Sequence, residues 1–379
     1  MTLTGGSMVV VEAICEGGLS FGVNYGMVAN DLPPPAKVLT LLQSISMCKA
    51  KLYNADGAVL STFTHTGVSF IVGVPNEDLS DLSSGFASAQ RWVRNHVLAH
   101  IPATKIIAIT VGNEVLSGND TTLMNHLVPA MQHIYDALAA VDLHKSIIIS
   151  SAHSFATVST SFPPSSGTFE SSIASRYMKP LLKFLDNTSN PFFINIYPFF
   201  PYKENPSEVP LDYALFLPNS GVFDPLTGLR YYNLFDAQLD AVYSAMSAMG
   251  YANISLLVSE TGWPSAGDPN ETGASIDNAQ IYHNNLISHL RSQRGTPLRP
   301  NTSFEVYLFA LFNENLKPGF ASERNFGLFK PDGSMVFNFQ VISMPKSSSF
   351  SSFSQCFDRT THLLLVLLPH FLHIGLFLL

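Results

Sequence analysis

Eight short apolar runs, rich in β-branched and aromatic residues, recur along the chain between positions 21 and 312. They are Phe21–Tyr25, Ala50–Tyr53, Ser69–Val74 and Lys105–Val111, then Ser146–Ser150, Phe192–Tyr197, Ile254–Val258 and Phe304–Leu311. Continuous apolar runs, rather than alternating ones, mark strands covered on both faces, which is the pattern of a parallel sheet. Between the runs apolar residues recur at helical spacing. Examples are Val38, Leu41, Leu42 and Ile45 behind the prolines 33–35, Trp92, Val93 and Val97, and the segments Leu123–Ala140, Tyr177–Leu185, Ala237–Met249 and Ile276–Leu290. Eight strand–helix alternations without a second core-sized block predict an α/β fold, a closed (β/α)8 TIM barrel; an open doubly wound sheet is the alternative. No glycine-rich phosphate loop follows the first run, which counts against that alternative. The gap from Tyr197 to Ile254 is longer than one helix needs and carries Phe199, Phe200, Tyr202, Tyr213, Phe216, Phe223, Tyr231 and Tyr232, so a small aromatic-rich insertion is expected after the sixth strand.

The ends read differently. Residues 1–20 have no cationic start, and their apolar stretch from Met8 to Cys15 contains Glu12, so they form only a weak signal peptide. After the catalytic-domain candidate, residues 21–342, comes a Ser-rich linker and polar spacer, 343–362, and then an apolar tail, 363–379. Small residues, spacer and apolar tail in that order match a GPI-attachment signal, with a tail-anchored span as the alternative. The expected location is the outer leaflet of the plasma membrane, through a lipid anchor, facing the cell wall. Of the three cysteines, Cys15 and Cys356 fall in the segments expected to be removed, leaving Cys48 as a buried structural thiol. Five N-glycosylation patterns, beginning at Asn119, Asn187, Asn253, Asn270 and Asn301, are no more than chance supplies.

Only 13% of residues are charged and the net charge is -8, so no basic surface is available for phosphate backbones and nucleic acid is not an expected partner. The His residues show no metal-ligand spacing, and no cofactor or metal is expected. In a barrel the chemistry sits where strands run out into the following loops. The polar residues found there are Asn24, Tyr25, Tyr53 with Asp56, Asn76, Asn113 with Glu114, His153, Asn195, Tyr197, Glu260 with Trp263, and Asn313 with Glu314. Glu114 and Glu260 each leave an apolar strand for the mouth of the barrel. Two carboxyls in an aromatic cleft are what glycosidic cleavage requires, one protonated to donate to the leaving oxygen and one ionised to attack the anomeric carbon. A helix-start glutamate beside a positive dipole end is the alternative for either alone.

Nine ordered segments carry a family resemblance: GVNYG from 22, KLYNAD from 51, VGNEVL from 111, SFPPSSG from 161, NIYPFFPY from 195, VSETGWPSAG from 258, GTPLRP from 295, FALFNEN from 309 and ERNFGLFKPD from 323. Over Phe21 to Phe339 the chain resembles the plant β-1,3-glucanases of glycoside hydrolase family 17. The resemblance implies a retaining (β/α)8 hydrolase acting inside β-1,3-glucans such as callose or laminarin, with Glu114 as general acid/base and Glu260 as nucleophile. It also implies substrate contacts from Tyr53, Asn113, Asn195, Tyr197, Glu314, Lys317 and Glu323, and stacking platforms at Trp263, Phe199, Phe320 and Phe326. Asn54 stands where the family commonly has Asp, and the cysteine-rich carbohydrate-binding module of some relatives is missing. A monomer is expected. Transglycosylation, mixed-linkage cleavage and a glucan-binding protein without turnover are the competing functions.

Overall fold

The computed structural model describes residues 21–339. Its centre is a closed barrel of eight parallel strands: β1 (Phe21–Asn24), β2 (Lys49–Lys51), β3 (Ser69–Val74), β4 (Lys105–Asn113), β5 (Ile148–Ser154), β6 (Phe192–Asn195), β7 (Leu256–Thr261) and β8 (Glu305–Leu308). Each strand pairs with its neighbours in sequence, and β8 returns to β1 through Phe21 opposite Val306. The ring is filled from inside by Ile71, Ala108, Ala152, Phe193, Leu257 and Tyr307. Gly22 makes this possible on the first strand, because a Cβ there would run into the Tyr307 ring.

The connecting helices start where the sequence supplies caps. Asp56, Asp120, Asn233 and Ser275 each accept from the backbone at the first turn of the helices Gly57–Thr62, Thr121–Ala139, Leu234–Ala248 and Ile276–Arg291. All eight expected strands are present. Their ends differ because ladder bonds continue into polar residues that an apolar pattern excludes: β5 runs to Ser154 and β7 to Thr261. The insertion after β6 contains the short helices Phe199–Glu204 and Leu211–Ala214, a two-stranded ribbon of Val222–Phe223 with Arg230–Tyr231, and the long helix Leu234–Ala248. Tyr213, Tyr231 and Ala237 form its own small core. A second ribbon, Val158–Thr160 with Thr168–Phe169, follows β5 and has no pattern in the sequence long enough to reveal it.

Cys48, expected as a thiol, is disulfide-bonded. The signal-peptide, linker and tail segments, with Cys15 and Cys356, lie outside the described residues. Among the described residues no helix is long and apolar enough to cross a membrane, and no group of three His, Cys, Asp or Glu residues could hold a metal.

Candidate active site

β4 ends at Asn113, and Glu114 follows in left-handed backbone, φ 53°, a conformation that costs a non-glycine residue energy and is characteristic of functional turns. Its N–H donates to Ala152 O of β5 at 2.8 Å, and its Oε1 accepts from Asn195 Nδ2 of β6 at 2.8 Å. Asn195 is fixed in turn by Ser259, whose hydroxyl donates to Asn195 Oδ1. Glu260 lies opposite Asn195 after a register shift between Val258 and Glu260, an irregularity of the kind that re-aims a side chain.

Three donors converge on the Glu260 carboxylate. Lys51 Nζ lies at 2.9 Å and Tyr53 OH at 2.8 Å from Oε1, while Tyr197 OH donates to Oε2 at 2.8 Å. The environments of the two acids separate their protonation states. Burial raises the Glu114 pKa, the nearby Glu260 charge raises it further, and the Asn195 bond opposes both without cancelling them. Burial also pushes Glu260 up, but the Lys51 ammonium, helped by Lys317 and the Tyr197 hydroxyl, reverses this and holds it below the ordinary carboxylate range. One group is therefore held toward the neutral acid and its neighbour toward the charged base.

Both carboxyls line a cavity of about 480 Å³ at the C-terminal end of the barrel, together with Tyr53, Asn113, Asn195, Tyr197, Lys317 and Glu323. A second cavity of similar volume shares Tyr53, Asn113 and Lys317 with the first and continues along Tyr25, Asn54, Asn76 and Glu314. The mouth of the barrel thus carries one groove with the acid pair in its wall.

Residues 21–341 match the model of the glycosyl hydrolases family 17. The chain belongs to that family. It is 48% identical over 321 residues to a protein of Arabidopsis thaliana named glucan endo-1,3-beta-glucosidase 14, an alignment covering 85% of this chain and 82% of the relative. It superimposes with a TM-score of 0.81 on CJP38, a beta-1,3-glucanase and allergen of Cryptomeria japonica pollen, at 43% identity, covering 85% of this chain and 99% of that one. A structure solved for two plant beta-glucan endohydrolases with distinct substrate specificities matches with a TM-score of 0.78 at 38% identity, over 84% of this chain and 99% of that one.

Within this family 17 barrel, Tyr53, Asn113, Asn195, Tyr197, Lys317 and Glu323 line the same cavity as the two glutamates. Glu314 lies one step away, in the second cavity, where its Oε1 accepts from Val28 N at 2.7 Å and Lys317 Nζ is 3.8 Å from Oε2. Burial raises the pKa of both Glu314 and Glu323. Lys317 also lies over the Phe309 ring at 4.2 Å.

Several aromatic residues are corrected. Trp263 is fully buried, its indole donating to Gly273 O at 2.9 Å while it packs on Phe199, Tyr202 and Tyr282, so it supports the wall and offers the cleft no face. Phe199 is likewise fully buried in that cluster. Phe320 is 52% exposed under Lys203 and lines neither cavity. Phe326 does reach the first cavity. His153 points away from the mouth, buried against Phe192, because its neighbour Ala152 takes the inward position on β5. Asn76 exchanges two hydrogen bonds with the backbone of Asn113 and so positions it, and Asp56 is a helix cap. Lys51 was missed altogether, although a lysine inside an otherwise apolar barrel strand is itself a signal, since buried lysines are almost always paired. Phe200 was passed over in the same way; it lines the cavity beside Tyr197.

Proposed function

We propose that the chain is a retaining endo-hydrolase of β-1,3-glucosidic bonds in glucans such as callose or laminarin. The observation that carries this reading is the pair of carboxyls in one cavity with opposite proton preferences. Glu260, ionised, attacks the anomeric carbon and forms a glycosyl ester as the C–O bond to the departing sugar breaks. Glu114 gives its proton to that leaving oxygen. In the second step Glu114, now a carboxylate, takes a proton from water, whose oxygen displaces Glu260 at the same carbon and returns both groups to their starting states. Asn195 holds Glu114 in place through both steps, and Lys51, Tyr53 and Tyr197 stabilise the Glu260 carboxylate as it leaves.

The length of the groove supports cleavage within chains, because the second cavity extends binding beyond the reacting residues. The β-1,3 preference is supported by the names of the relatives. Purified protein assayed against β-1,3, β-1,4 and mixed-linkage glucans tests it: oligosaccharide release from laminarin is expected, and turnover of β-1,4 glucan alone would overturn it. Action at the cell wall, as a monomer lipid-anchored in the Ser-rich stretch at Ser347–Ser349 and cleared of residues 1–20, belongs to the same proposal. It is supported by the small-residue, spacer and apolar-tail order, and release of activity from membranes by a phosphoinositide-specific phospholipase tests it.

A further inference from the structure

Part of the cavity wall is not made by barrel strands. The turn that follows β5, through Phe155 and Ala156, lines the cavity together with the inserted helix Leu234–Ala248, which contributes Gln238. The neighbouring polar side chains of that helix have partners: Asp236 lies 2.9 Å from His289, and Asp240 accepts from Thr296 and from Leu298 N. Gln238 does not. It is 3% exposed, its Oε1 accepts no hydrogen bond, and its amide nitrogen donates none among the described residues. A buried amide left unpaired is costly, and an apolar side chain of the same length would fill that face of the helix without the penalty.

The chemistry of the unpaired amide narrows its partner. An uncharged amide sets an NH2 donor and a carbonyl acceptor side by side, which matches a hydroxyl, itself both donor and acceptor, and leaves no net charge to compensate. Gln238 bonds neither carboxyl nor any residue that holds them, and it enters the cavity from the inserted helix and not from a barrel strand, so it is not part of the network around the two acids. We infer that Gln238 is a substrate-binding residue that hydrogen-bonds a hydroxyl of a glucosyl unit away from the cleaved linkage, and thereby sets a preference for longer β-1,3-gluco-oligosaccharides. This rests on the hydrolase reading above.

Calorimetric binding to the Glu260→Gln protein separates the two. Adding Gln238→Met, which keeps side-chain length and removes both polar atoms, is expected to weaken binding of the β-1,3-linked hexasaccharide about ten-fold, the scale of one neutral hydrogen bond, and to leave the disaccharide unchanged. In the active enzyme kcat/KM on the hexasaccharide should fall by the same factor, with no loss of thermal stability. Equal hexasaccharide affinity with and without Gln238→Met overturns the inference and leaves the hydrolase intact, as would be the case if only water occupied the amide. A loss shared equally by every chain length also overturns it, since that would mark a role in the fold. If the wild type does not hydrolyse laminarin and Glu260→Gln binds no glucan, the hydrolase reading itself has failed.

Discussion

Replacing Lys51 by methionine removes the ammonium that faces Glu260 while nearly keeping its length. The two charges are 2.9 Å apart on side chains only 1% and 8% exposed. At an effective dielectric of about 20, a pair that close attracts by about 6 kcal/mol, much of it offset by the desolvation of both ions. Removing one partner and leaving the other charged and buried costs about 3–5 kcal/mol. Tyr53 and Tyr197 still donate to Glu260 in the variant, so a loss near about 3 kcal/mol is expected at neutral pH. The pH dependence carries a definite sign. In the wild type the folded-state pKa of Glu260 is lowered, so its contribution to stability is present above the unfolded carboxylate pKa and is lost as pH falls through the folded value. Without Lys51 the burial that raises the pKa prevails, the group protonates more readily, and the stability deficit of the variant narrows in acid. Protonation also removes the nucleophile, so the acid limb of kcat/KM moves to higher pH. Urea unfolding midpoints and laminarin hydrolysis, each measured across pH, report the two effects separately. A Lys51→Met protein with the wild-type midpoint and an unmoved acid limb would refute the claim that Lys51 keeps Glu260 charged.

Glu114→Gln should lower kcat on glucans by about 10²–10⁴-fold, with much of the loss recovered on an aryl glycoside whose leaving group needs no proton; an equal loss on both would contradict its role as the acid. Asn195→Ala removes a bond that favours the ionised form of Glu114, so the basic limb of the pH–rate profile should move to higher pH, and a downward move would be inconsistent with the geometry. Trp263→Phe removes one of the two donors to Gly273 O, Asn278 Nδ2 remaining at 2.9 Å, and leaves part of a fully buried ring site unfilled, so it should cost about 1–3 kcal/mol in urea unfolding while KM for laminarin stays constant, whereas a raised KM would return Trp263 to the cleft. Gly26→Ala places a Cβ against the Glu314 carboxylate and should cost about 1–3 kcal/mol, with Val28 losing its partner; a neutral substitution would mean that Glu314 is free to move.

The barrel was legible because parallel strands covered on both faces write themselves as apolar runs, and all eight runs became strands. Glu114 and Glu260 were legible for a related reason: each follows such a run directly, so its position at the mouth is fixed by the strand. Trp263 and Phe199 were misread because sequence gives the position of an aromatic residue along the chain and not the direction of its ring, and packing the insertion against the barrel turned both inward. Phe320 fared in the opposite way, being left outside on a loop turn. His153 was lost to strand parity, since one step along β5 separates the barrel interior from its outer face. Lys51 and Gln238 went unused for a third reason. Both sit inside stretches that read as buried; a lysine there does signal a buried partner, but the sequence does not say which group either side chain faces.

Catalysis in this cavity turns on Glu260 attacking carbon rather than activating water. Proton NMR of the first reducing ends released from laminarin decides this, if read before mutarotation. Double displacement predicts the β anomer as the initial product; initial release of the α anomer would mean direct displacement by water and would contradict the mechanism.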